Sequence, residues 1–425
     1  MLDINLIREN PKAVAEKLAK KGHVVYFAEV LDWDKTRSEL LQNVETKKAE
    51  KNKVSAEIPA LKKAGQDVTK VLAEMKELGN DIAELDKKVA EVEDKMNTFL
   101  LCLPNVPDDD LVGGGKEANE HIRTYGEKPN FDFKAKSHIE LCEDLGLIDY
   151  ERGAKLAGNG SWVYRGMGAR LEWALLNFFI DEHIADGYEL MFLPHMLNYD
   201  CGLGAGQFPK FEDEVYWIDN KSKENKFLLP TAETALVNLY KGEVLTEADL
   251  PKKFAGFTPC YRREAGSYRS EERGMIRGHQ FHKVEMVQYT TKEGSDAAFE
   301  ELVGKAERLV QKLGLHYKLA KLAAGDCSAS MCRTYDIEVW IPSMNIYKEV
   351  SSVSNARDYQ ARRNNTRYRN EATKKLEYVH TLNGSGLATT RIFPALIEQY
   401  QNADGSITIP EVLRKYMGGL EKITK

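Results

Sequence analysis

The stretch of residues 258–286, TPCYRREAGSYRSEERGMIRGHQFHKVEM, decides the fold of this chain. Its first part completes a short apolar segment that begins at Phe254, and apolar and polar side chains interleave again over residues 280–289. Residues 265–278 between these segments are rich in glycine and charge. The pattern predicts two antiparallel strands joined by a long charged loop. Loops of that length in compact domains are usually functional.

Arg262 and Glu264 stand near the end of the first predicted strand. Because successive side chains of a strand alternate between its two faces, we expect these two to project from the same face. An arginine close to a glutamate is more often a surface ion pair than part of a site. Taken alone, the two residues therefore leave both interpretations open.

The composition limits the classes of protein to which this chain can belong. A chain of 425 residues has room for two or three domains, and 42% hydrophobic with 30% charged residues is typical of a soluble globular protein. At a net charge of -6, any nucleic-acid contact must come from a local patch. The six cysteines form no CxxC pair, which favours reduced thiols in a cytosolic protein over a zinc site. No apolar run reaches membrane-spanning length, so we expect neither a signal peptide nor a membrane anchor.

The clearest periodicity lies at about residues 35–100. Apolar side chains recur four and three residues apart over two segments, which are separated by the short polar joint at 62–67. Two 3.5-residue repeats with charged flanks predict a coiled coil, and so short a joint allows only an antiparallel hairpin. Helices of about 30 residues, at 1.5 Å per residue, make an arm roughly 45 Å long.

We predict three parts in the chain. Residues 1–103 form an N-terminal domain that contains the hairpin. Residues 104–117, with two prolines, three aspartates and three glycines in PNVPDDDLVGGG, have the composition of a linker. Residues 118–425 mix strand and helix patterns, as an α+β domain does.

The charges on the predicted arm are segregated. Residues 35–63 carry eight Lys or Arg against four Glu, and residues 67–100 carry five Lys against nine Asp or Glu. One interpretation is complementarity that fixes the pairing of the two helices. The other is that the first helix also offers a basic strip to a phosphate backbone. Both interpretations stay open.

Several elements of the second half are predicted from periodicity. Residues 168–184 are predicted to form a strongly apolar helix. Such a helix is usually buried in the core, and the alternative is an interface with a second copy of the chain. A strand closed by Pro194 follows it. Residues 296–314 have the pattern of an amphipathic helix, and residues 337–341 have that of a strand.

Two short patterns are ambiguous when taken alone. Thr231-Ala232-Glu233 suits the N-terminal cap of a helix that runs to Tyr240. The glycine-rich residues 202–206 lack the strand-then-helix context of a dinucleotide-binding loop, so we discount that fold.

A third short pattern lies near the C-terminus, where small residues at 383–388 lead into a predicted helix that carries Arg391. This favours an anion site at the start of the helix, although the pattern is weak in isolation.

Together these motifs resemble the seryl-tRNA synthetases, a family of class II aminoacyl-tRNA synthetases. The resemblance covers essentially the whole chain, and the motifs occur in the family's order. They are the strand closed by Pro194, Thr231-Ala232-Glu233, Tyr261-Arg262-Arg263-Glu264, His279-Gln280-Phe281 with Lys283-Val284-Glu285, Glu349-Val350-Ser351-Ser352, and Asn383-Gly384-Ser385 with Arg391. The resemblance implies an α+β catalytic domain, built on an antiparallel β-sheet, with an N-terminal antiparallel coiled-coil arm. One departure is Thr390, where the family usually has glycine before the arginine.

The resemblance implies a two-step reaction with ATP and Mg²⁺. Serine is activated to seryl-adenylate, and the seryl group then passes to serine tRNA; whether selenocysteine tRNA is also charged stays open. The implied catalytic residues are Arg262, which would bridge the serine carboxylate and the α-phosphate, Glu264, which would bind the adenine amino group, and Arg391, which would hold the γ-phosphate. Phe281 would stack on adenine, a contact worth roughly 1–3 kcal/mol in nucleic-acid systems.

The remaining site residues follow from the same resemblance. The implied ATP-binding residues are Arg262, Arg263, Glu264, Phe281, Glu349, Val350, Ser351, Ser352 and Arg391, with Glu349 and Ser352 as Mg²⁺ ligands. The implied serine-binding residues are Thr231, Ala232, Glu233, Arg262, Glu285, Asn383 and Ser385. The basic strip on the arm, at Lys47, Lys51, Lys53, Lys62 and Lys63, would contact a serine tRNA with a long variable arm. The resemblance also implies a homodimer without membrane contact and a cytoplasmic location.

A protein of another class stays as the alternative: a paralogue that keeps the fold and the arm but has lost catalysis or charges something other than tRNA. The presence of Arg262, Glu264, Glu349 and Arg391 argues against it.

Overall fold

The computed structural model describes residues 1–218, 225–264 and 274–425. It divides into two compact units. One consists of Leu2–Ala19 and His23–Leu103, and the other consists of Pro104–Lys425 together with Met1 and Lys20–Gly22. Residues 265–273, most of the predicted charged loop, lie outside the described part.

The first unit is helical throughout. Its helices are α1 (Ile4–Glu9), α2 (Pro11–Lys20), α3 (Ala28–Lys63) and α4 (Thr69–Cys102). The two long helices α3 and α4 pack against each other, which confirms the predicted hairpin, although α3 begins seven residues earlier than expected. Its seam consists of the apolar positions that the periodicity marks, and the buried side chains include Val44, Ile82, Val89 and Met96.

The second unit contains the remaining helices and all strands of the described residues. The helices are α5 (His138–Asp144), α6 (Tyr150–Ala157), α7 (Gly166–Ala185), α8 (Tyr199–Gly204), α9 (Glu233–Leu236), α10 (Ser295–Lys312), α11 (Tyr359–Asn364), α12 (Thr389–Gln399) and α13 (Glu411–Arg414). The strands are β1 (Glu120–Tyr125), β2 (Ile148–Asp149), β3 (Val163–Tyr164), β4 (Glu189–Met191), β5 (Met196–Asn198), β6 (Trp217–Ile218), β7 (Lys226–Leu228), β8 (Val244–Thr246), β9 (Lys252–Tyr261), β10 (Gln280–Thr290), β11 (Tyr317–Lys321), β12 (Arg333–Ile341), β13 (Ile346–Arg357), β14 (Arg367–Arg369), β15 (Leu376–Tyr378), β16 (His380–Ala388), β17 (Ile407–Thr408) and β18 (Lys422–Ile423).

An eight-stranded sheet in the order β1-β11-β12-β13-β16-β10-β9-β4 forms the centre of this unit. Its strand pairs are antiparallel except β4 with β9, which is parallel. The predicted strand pair is confirmed as β9 and β10, with Phe281 opposite Cys260 and Lys283 opposite Thr258. Among the described residues, no helix combines the length and hydropathy needed to cross a membrane.

Helices α7, α10 and α12 pack on this sheet because each carries an apolar stripe. The core that they share with the strands includes Phe178, Phe179, Leu302 and Phe393. The predicted helix at 168–184 is confirmed as α7, and its strongly apolar side is core.

Two local predictions were wrong. Strand β9 ends at Tyr261, so Arg262 and Glu264 lie beyond it and strand alternation does not set their directions. Glu264 has a positive φ of 51°, which turns the chain sharply. The helix expected to reach Tyr240 is only α9, Glu233–Leu236, because the following segment forms turns.

Candidate functional site

A cleft opens on the sheet at the ends of β9 and β10, and it holds about 550 Å³ when the open solvent at its mouth is counted. It collects side chains from four segments of the chain, and most of them are polar or charged. The lining consists of Arg262, Glu264, Ile276, Arg277, Gly278, Phe281, Lys283, Glu349, Val350, Ser385, Ala388, Thr390 and Arg391. Of the residues that the motifs predict for ATP, Arg262, Glu264, Phe281, Glu349, Val350 and Arg391 are therefore brought together.

Two side-chain contacts with described residues hold the guanidinium of Arg262 in place. Its Nε donates to the carbonyl of Pro230 at 3.2 Å, and its guanidinium carbon lies 5.1 Å from the centroid of the Phe281 ring. The first contact fixes one edge of the guanidinium, and the second adds a cation–π attraction. The terminal nitrogens can then meet an anion at the cleft wall, since a guanidinium fork suits two oxygens at once.

Two ion pairs between described residues lie in the cleft. Glu264 pairs with Arg277, a cation for which the sequence predicts no role. Arg391 donates to the backbone carbonyl of Glu349 at 2.8 Å and lies 3.5 Å from its carboxylate. A polyanionic ligand that engaged Arg277 or Arg391 would have to compete with these carboxylates, so the cationic lining is already partly neutralised.

The departure at Thr390 causes no backbone strain. Thr390 lies in the first turn of α12, where the backbone is helical and a left-handed conformation is not needed. Its side chain lines the cleft, at a position where glycine would leave open space.

Oxygen donors for a hard cation lie at the β12–β13 ladder. Ser352 stands opposite Asp336 in the register, and Glu349 is three residues before Ser352 on the same strand. Asp336 is 7% exposed, and its Oδ1 has no hydrogen-bond partner among the described residues. Burial, followed by the nearby charge of Glu349, raises the pKa of Asp336 well above its usual range. An unpaired buried carboxylate oxygen beside a carboxylate and a hydroxyl fits a divalent cation.

The cation would need further ligands. Within the described ranges, no group of three or more His, Cys, Asp or Glu side chains is placed to hold a metal ion. Protein hydroxyls, water and the oxygens of a bound ligand would have to complete the coordination, as is common for magnesium beside phosphates.

A buried polar pocket adjoins the cleft around Glu233. The Oε1 of Glu233 accepts hydrogen bonds from Nε2 of Gln360 at 2.8 Å and from Nδ2 of Asn383 at 2.9 Å. Burial, and next the negative charge of Glu285, raises the pKa of Glu233 to about 7. The pocket therefore holds a carboxyl group that a cationic ligand would ionise.

Strand β10 supplies the opposite charge in this pocket. Lys283 forms an ion pair with Glu285 and donates to the hydroxyl of Thr231 at 2.7 Å. Glu285 is 1% exposed and stands opposite Ser385 in the β10–β16 ladder. The hydroxyl of Ser351 donates to the carbonyl of Ser385 at 2.6 Å, so Ser351 supports the wall and does not face the cleft.

Two predicted residues stand apart from this lining. Arg263 is outside the described wall of the cleft, and its backbone N–H donates to the carbonyl of Glu214 at 2.9 Å. Ala232 is buried at the N-terminus of α9. Any role of these two in binding would run through the backbone or through a ligand-induced movement.

Sequence reasoning missed four residues of the site: Arg277, Lys283, Asp336 and Gln360. Lys283 could have been found, because it is two residues from Glu285 on one strand and must share its face. Arg277 lies within the charged loop without a distinguishing pattern. Asp336 and Gln360 reach the site through strand pairing and helix packing, which no local pattern reveals.

The lysines in and around the predicted basic strip on the arm differ in their contacts: some pair with acidic residues of α4, and others are exposed. Lys47 donates to Asp81 on α4 at 2.7 Å, and Lys48 lies 3.3 Å from Asp86. These contacts support charge complementarity between the helices at this level. Lys53, Lys62 and Lys63 are exposed, and none has an ion pair among the described residues.

The fold and the site define the class of protein. Residues 216–400 match the family model of the tRNA synthetase class II core domain (G, H, P, S and T), and residues 1–107 match that of the seryl-tRNA synthetase N-terminal domain. The sheet, the cleft at β9–β10 and α12 all lie wholly or largely in the first of these matches.

Similar proteins narrow the class further. The chain is 59% identical to serine--tRNA ligase 2 of Clostridium acetobutylicum over 98% of this chain and 99% of that protein. It is 45% identical to serine--tRNA ligase of Thermodesulfovibrio yellowstonii, with the same coverage. The crystal structure of seryl-tRNA synthetase from Pyrococcus horikoshii complexed with ATP superposes with a TM-score of 0.90 at 34% identity, covering 100% of this chain and 99% of that one. The chain belongs to the seryl-tRNA synthetase family.

Proposed function

We propose that this protein is a serine--tRNA ligase, which activates serine with ATP and transfers the seryl group to serine tRNA. One observation carries the proposal. Arg262 lies in the wall of the cleft and close enough to the Glu233 pocket for its charge to lower the pKa of that carboxyl against the stronger effect of burial. One guanidinium is therefore available both to an amino acid in the pocket and to a nucleotide in the cleft.

The first step joins these two ligands. A carboxylate oxygen of serine attacks the α-phosphorus of ATP, and the bond from that phosphorus to the bridging oxygen breaks to release pyrophosphate. Such a reaction needs positioning and charge stabilisation more than covalent help from the protein. Arg262, already fixed by Pro230 and Phe281, would hold one oxygen from each reactant.

ATP would lie along the length of the cleft. The adenine ring would stack on Phe281, with its amino group donating to the carboxylate of Glu264. Arg391 at the start of α12 would hold the γ-phosphate, and its contact with Glu349 would then be partly replaced. Arg277 would be released from Glu264 to meet the phosphates, so the ion pairs that cross the cleft would be exchanged for contacts with the nucleotide.

Mg²⁺ would be held by Glu349 and Ser352, with Asp336 close behind them. When bound, a divalent cation neutralises phosphate charge and stabilises the pyrophosphate leaving group. The residues of this chain would orient that cation from the β13 side of the cleft, while Arg262 and Arg391 hold the phosphate oxygens.

The serine substrate would occupy the pocket around Glu233. Glu233 and Glu285 would bind its amino and hydroxyl groups, and Thr231, Asn383 and Ser385 would complete the wall. A site built to hydrogen-bond a hydroxyl rejects a ligand without one, because its own buried polar groups are left unpaired. Alanine would be rejected for that reason and threonine by its size.

The test of the function is serine-dependent exchange of labelled pyrophosphate into ATP, followed by charging of serine tRNA. We expect exchange with serine and with no other proteinogenic amino acid at comparable concentration. Exchange that requires a different amino acid, or its absence with a folded, dimeric protein, would contradict the proposal and favour a paralogue without this catalysis.

The raised pKa of Glu233 predicts a pH dependence of serine binding. At pH 6 most copies of this carboxyl are protonated, and pairing with the serine ammonium requires that the carboxyl first lose its proton. We expect the KM for serine to fall as the pH rises from 6 to 8, and serine binding at pH 6 to release a proton, measured by calorimetry in buffers of different ionisation enthalpy.

The variant Glu233→Gln serves as the control for this dependence. It cannot ionise, so its KM for serine should be higher but flat over the same pH range. A KM for the wild-type protein that does not change between pH 6 and 8 would contradict the assigned role of Glu233.

We propose further that the arm binds the long variable arm of serine tRNA by its phosphates. The exposed lysines of α3, Lys53, Lys62 and Lys63, are the best placed among the predicted strip, since Lys47 is paired with Asp81 and Lys51 is partly buried. Such contacts recognise the shape of the nucleic acid more than its bases.

Reversal of these three charges tests the arm. We expect Lys53→Glu, Lys62→Glu and Lys63→Glu together to weaken tRNA binding, and the slope of log Kd against log salt to fall by about one for each phosphate group that the protein no longer binds. Serine-dependent pyrophosphate exchange should stay unchanged, because no nucleic acid takes part in it.

The matched control carries the same charge change on α4, at the exposed residues Lys70, Lys76 and Lys87. If both triple variants weaken tRNA binding equally, net charge and not the α3 strip is responsible. If neither does, the lysines of α3 have no role in binding.

A homodimer and a cytoplasmic location complete the proposal. Large apolar side chains are exposed on α7 and around β4 and β5, and a patch of this kind usually marks an interface. These side chains are Trp173, Ile184, Leu190, Phe192 and Met196. We expect a dimer by light scattering, and Phe192→Glu to shift it toward a monomer.

A further inference from the structure

A buried carboxylate without an assigned role lies behind the cleft. Glu172 belongs to α7, and its side chain is 4% exposed. Its Oε1 accepts a hydrogen bond from the hydroxyl of Thr389 at 2.6 Å and from Nδ1 of His282 at 2.8 Å. The imidazole must therefore carry its proton on Nδ1. None of these three residues lines the cleft in its described part.

The two partners of Glu172 belong to the two ends of the cleft. His282 stands in β10 between Phe281 and Lys283, and its neighbour Phe281 forms the wall beneath the proposed adenine position. Thr389 is the first residue of α12, two positions before Arg391. One carboxylate oxygen thus joins the strand that carries Phe281 to the helix that carries Arg391.

A second contact joins the same two elements. The Thr389 hydroxyl also lies 3.2 Å from the backbone carbonyl of His282, so its single proton is shared between that carbonyl and the closer carboxylate of Glu172. The helix start at Thr389 is otherwise free of a side-chain cap. The β10–β16 ladder already places Ala388 opposite Lys283, and the cluster adds the side-chain contacts that fix the helix start just beyond that pair.

Aromatic rings restrict the imidazole of His282. Tyr164 stacks on it with ring centroids 6.2 Å apart, and Phe257 lies 6.0 Å away on another side. Tyr164 in turn packs edge-on against Phe393 of α12 at 5.6 Å. The ring is therefore held in one orientation, and Glu172 keeps the geometry of both hydrogen bonds.

The burial of Glu172 is not explained by stability. Its second oxygen, Oε2, makes no hydrogen bond of standard geometry among the described residues, although the buried hydroxyl of Tyr164 interacts with Glu172, and burying a carboxylate with incomplete pairing is costly. A buried carboxylate, even a hydrogen-bonded one, is weak grounds for expecting a gain in stability over an apolar replacement. A protein can keep such a destabilising burial when the hydrogen bonds hold neighbouring groups in the arrangement that its function needs.

We propose that Glu172 is a positioning residue that sets the distance between Phe281 and Arg391 through His282 and Thr389. A ligand that touches both ends of the cleft depends on that distance, whereas a ligand confined to the Glu233 pocket does not. The proposal rests on ATP as the ligand of the cleft. Loss of the cluster thus impairs the use of ATP selectively and leaves serine binding nearly intact.

The experiment compares Thr389→Val with Thr389→Ser in the pyrophosphate-exchange assay. Valine keeps the shape but removes the hydroxyl, and serine restores it. For Thr389→Val we expect kcat/KM for ATP to fall by about 10- to 100-fold, the range typical when a residue that supports a metal ligand is removed. The KM for serine should change by less than about twofold, because serine does not reach the ends of the cleft. Thr389→Ser should recover most of the activity.

Glu172→Gln and Glu172→Ala extend the test, with Glu182→Gln as the matched control. Glu182 is another glutamate of α7, and it accepts from Lys312 at the surface at 2.5 Å. We expect Glu172→Ala to resemble Thr389→Val, and the double variant Glu172→Ala with Thr389→Val to be no worse than either one, because both remove the same link. Glu182→Gln should leave both KM values unchanged.

The outcomes separate a positioning role from a structural one. Equal changes in the KM for ATP and for serine, or full activity in Thr389→Val at an unchanged Tm, would overturn the proposal. If the wild-type protein shows no serine-dependent exchange, the proposed function fails instead. Calorimetric titration of wild type and Thr389→Val with ATP and with adenosine then decides the positioning role, because only ATP spans the cleft.

Discussion

The variant Glu285→Ala is expected to lose serine-dependent pyrophosphate exchange completely. Glu285 is 1% exposed and lies at the meeting point of Lys283, Ser385 and the Glu233 pocket. Alanine would leave a buried ammonium without its carboxylate and a serine hydroxyl without its acceptor. Losses of about 10⁴-fold are typical when buried polar groups in a specificity pocket are left unpaired. Exchange at such a rate falls below detection.

Two further variants separate this effect from misfolding. Glu285→Gln keeps the shape and part of the hydrogen bonding, so weak activity with a high KM for serine is expected. Glu307→Gln, at a buried glutamate that pairs with Arg123, is the matched control and should stay active. Arg123 belongs to β1, which four strands separate from β10 in the sheet. Near-normal exchange by a folded Glu285→Ala protein would remove Glu285 from the serine pocket.

The variant Arg262→Lys is expected to lose about 10²- to 10³-fold in kcat, the loss typical for one charge-stabilising donor. Lysine keeps the charge but offers a single ammonium in place of a planar fork. It also lacks the Nε–H that donates to Pro230 and the flat group that lies over Phe281. The charge would be present but neither fixed nor divided between two oxygens.

Single-turnover formation of seryl-adenylate measures this effect directly. We expect the rate of adenylate formation to fall much more than the affinity for ATP, because the contact is strongest in the transition state. Arg123→Lys, at the ion pair with Glu307, changes the same residue type far from the cleft and should be neutral. If Arg262→Lys forms adenylate at the wild-type rate, the bridging role of Arg262 is wrong.

The elements that periodicity marks were predicted well. The arm, α7, α10 and the pair β9–β10 all rest on side-chain patterns of 3.5, 3.6 or 2 residues, which are local and repeat many times. The predicted boundaries of these elements were less accurate. For example, α3 begins at Ala28 and not near residue 35. The predicted helix at α9 ran too far toward the C-terminus, because one favourable cap does not determine how far a helix continues.

The site was predicted in part. Motifs identified Arg262, Glu264, Phe281 and Arg391, and the structure brings all four to one cleft. The expectation that strand alternation places Arg262 and Glu264 on the same face was wrong, since both lie past the end of β9 and a turn with positive φ at Glu264 sets its direction. What joins them is the shared cleft and not the alternation of a strand.

By itself, the sequence determined the family, the arm and the residue types of the chemistry, because each is carried by a local pattern. Only the tertiary structure decided which groups surround those residues. Gln360 reaches Glu233 from 127 positions away, and Glu172 binds Thr389 from a distance of 217 positions. Contacts at such separations depend on sheet order and helix packing, and the charge state and orientation of the site depend on those contacts.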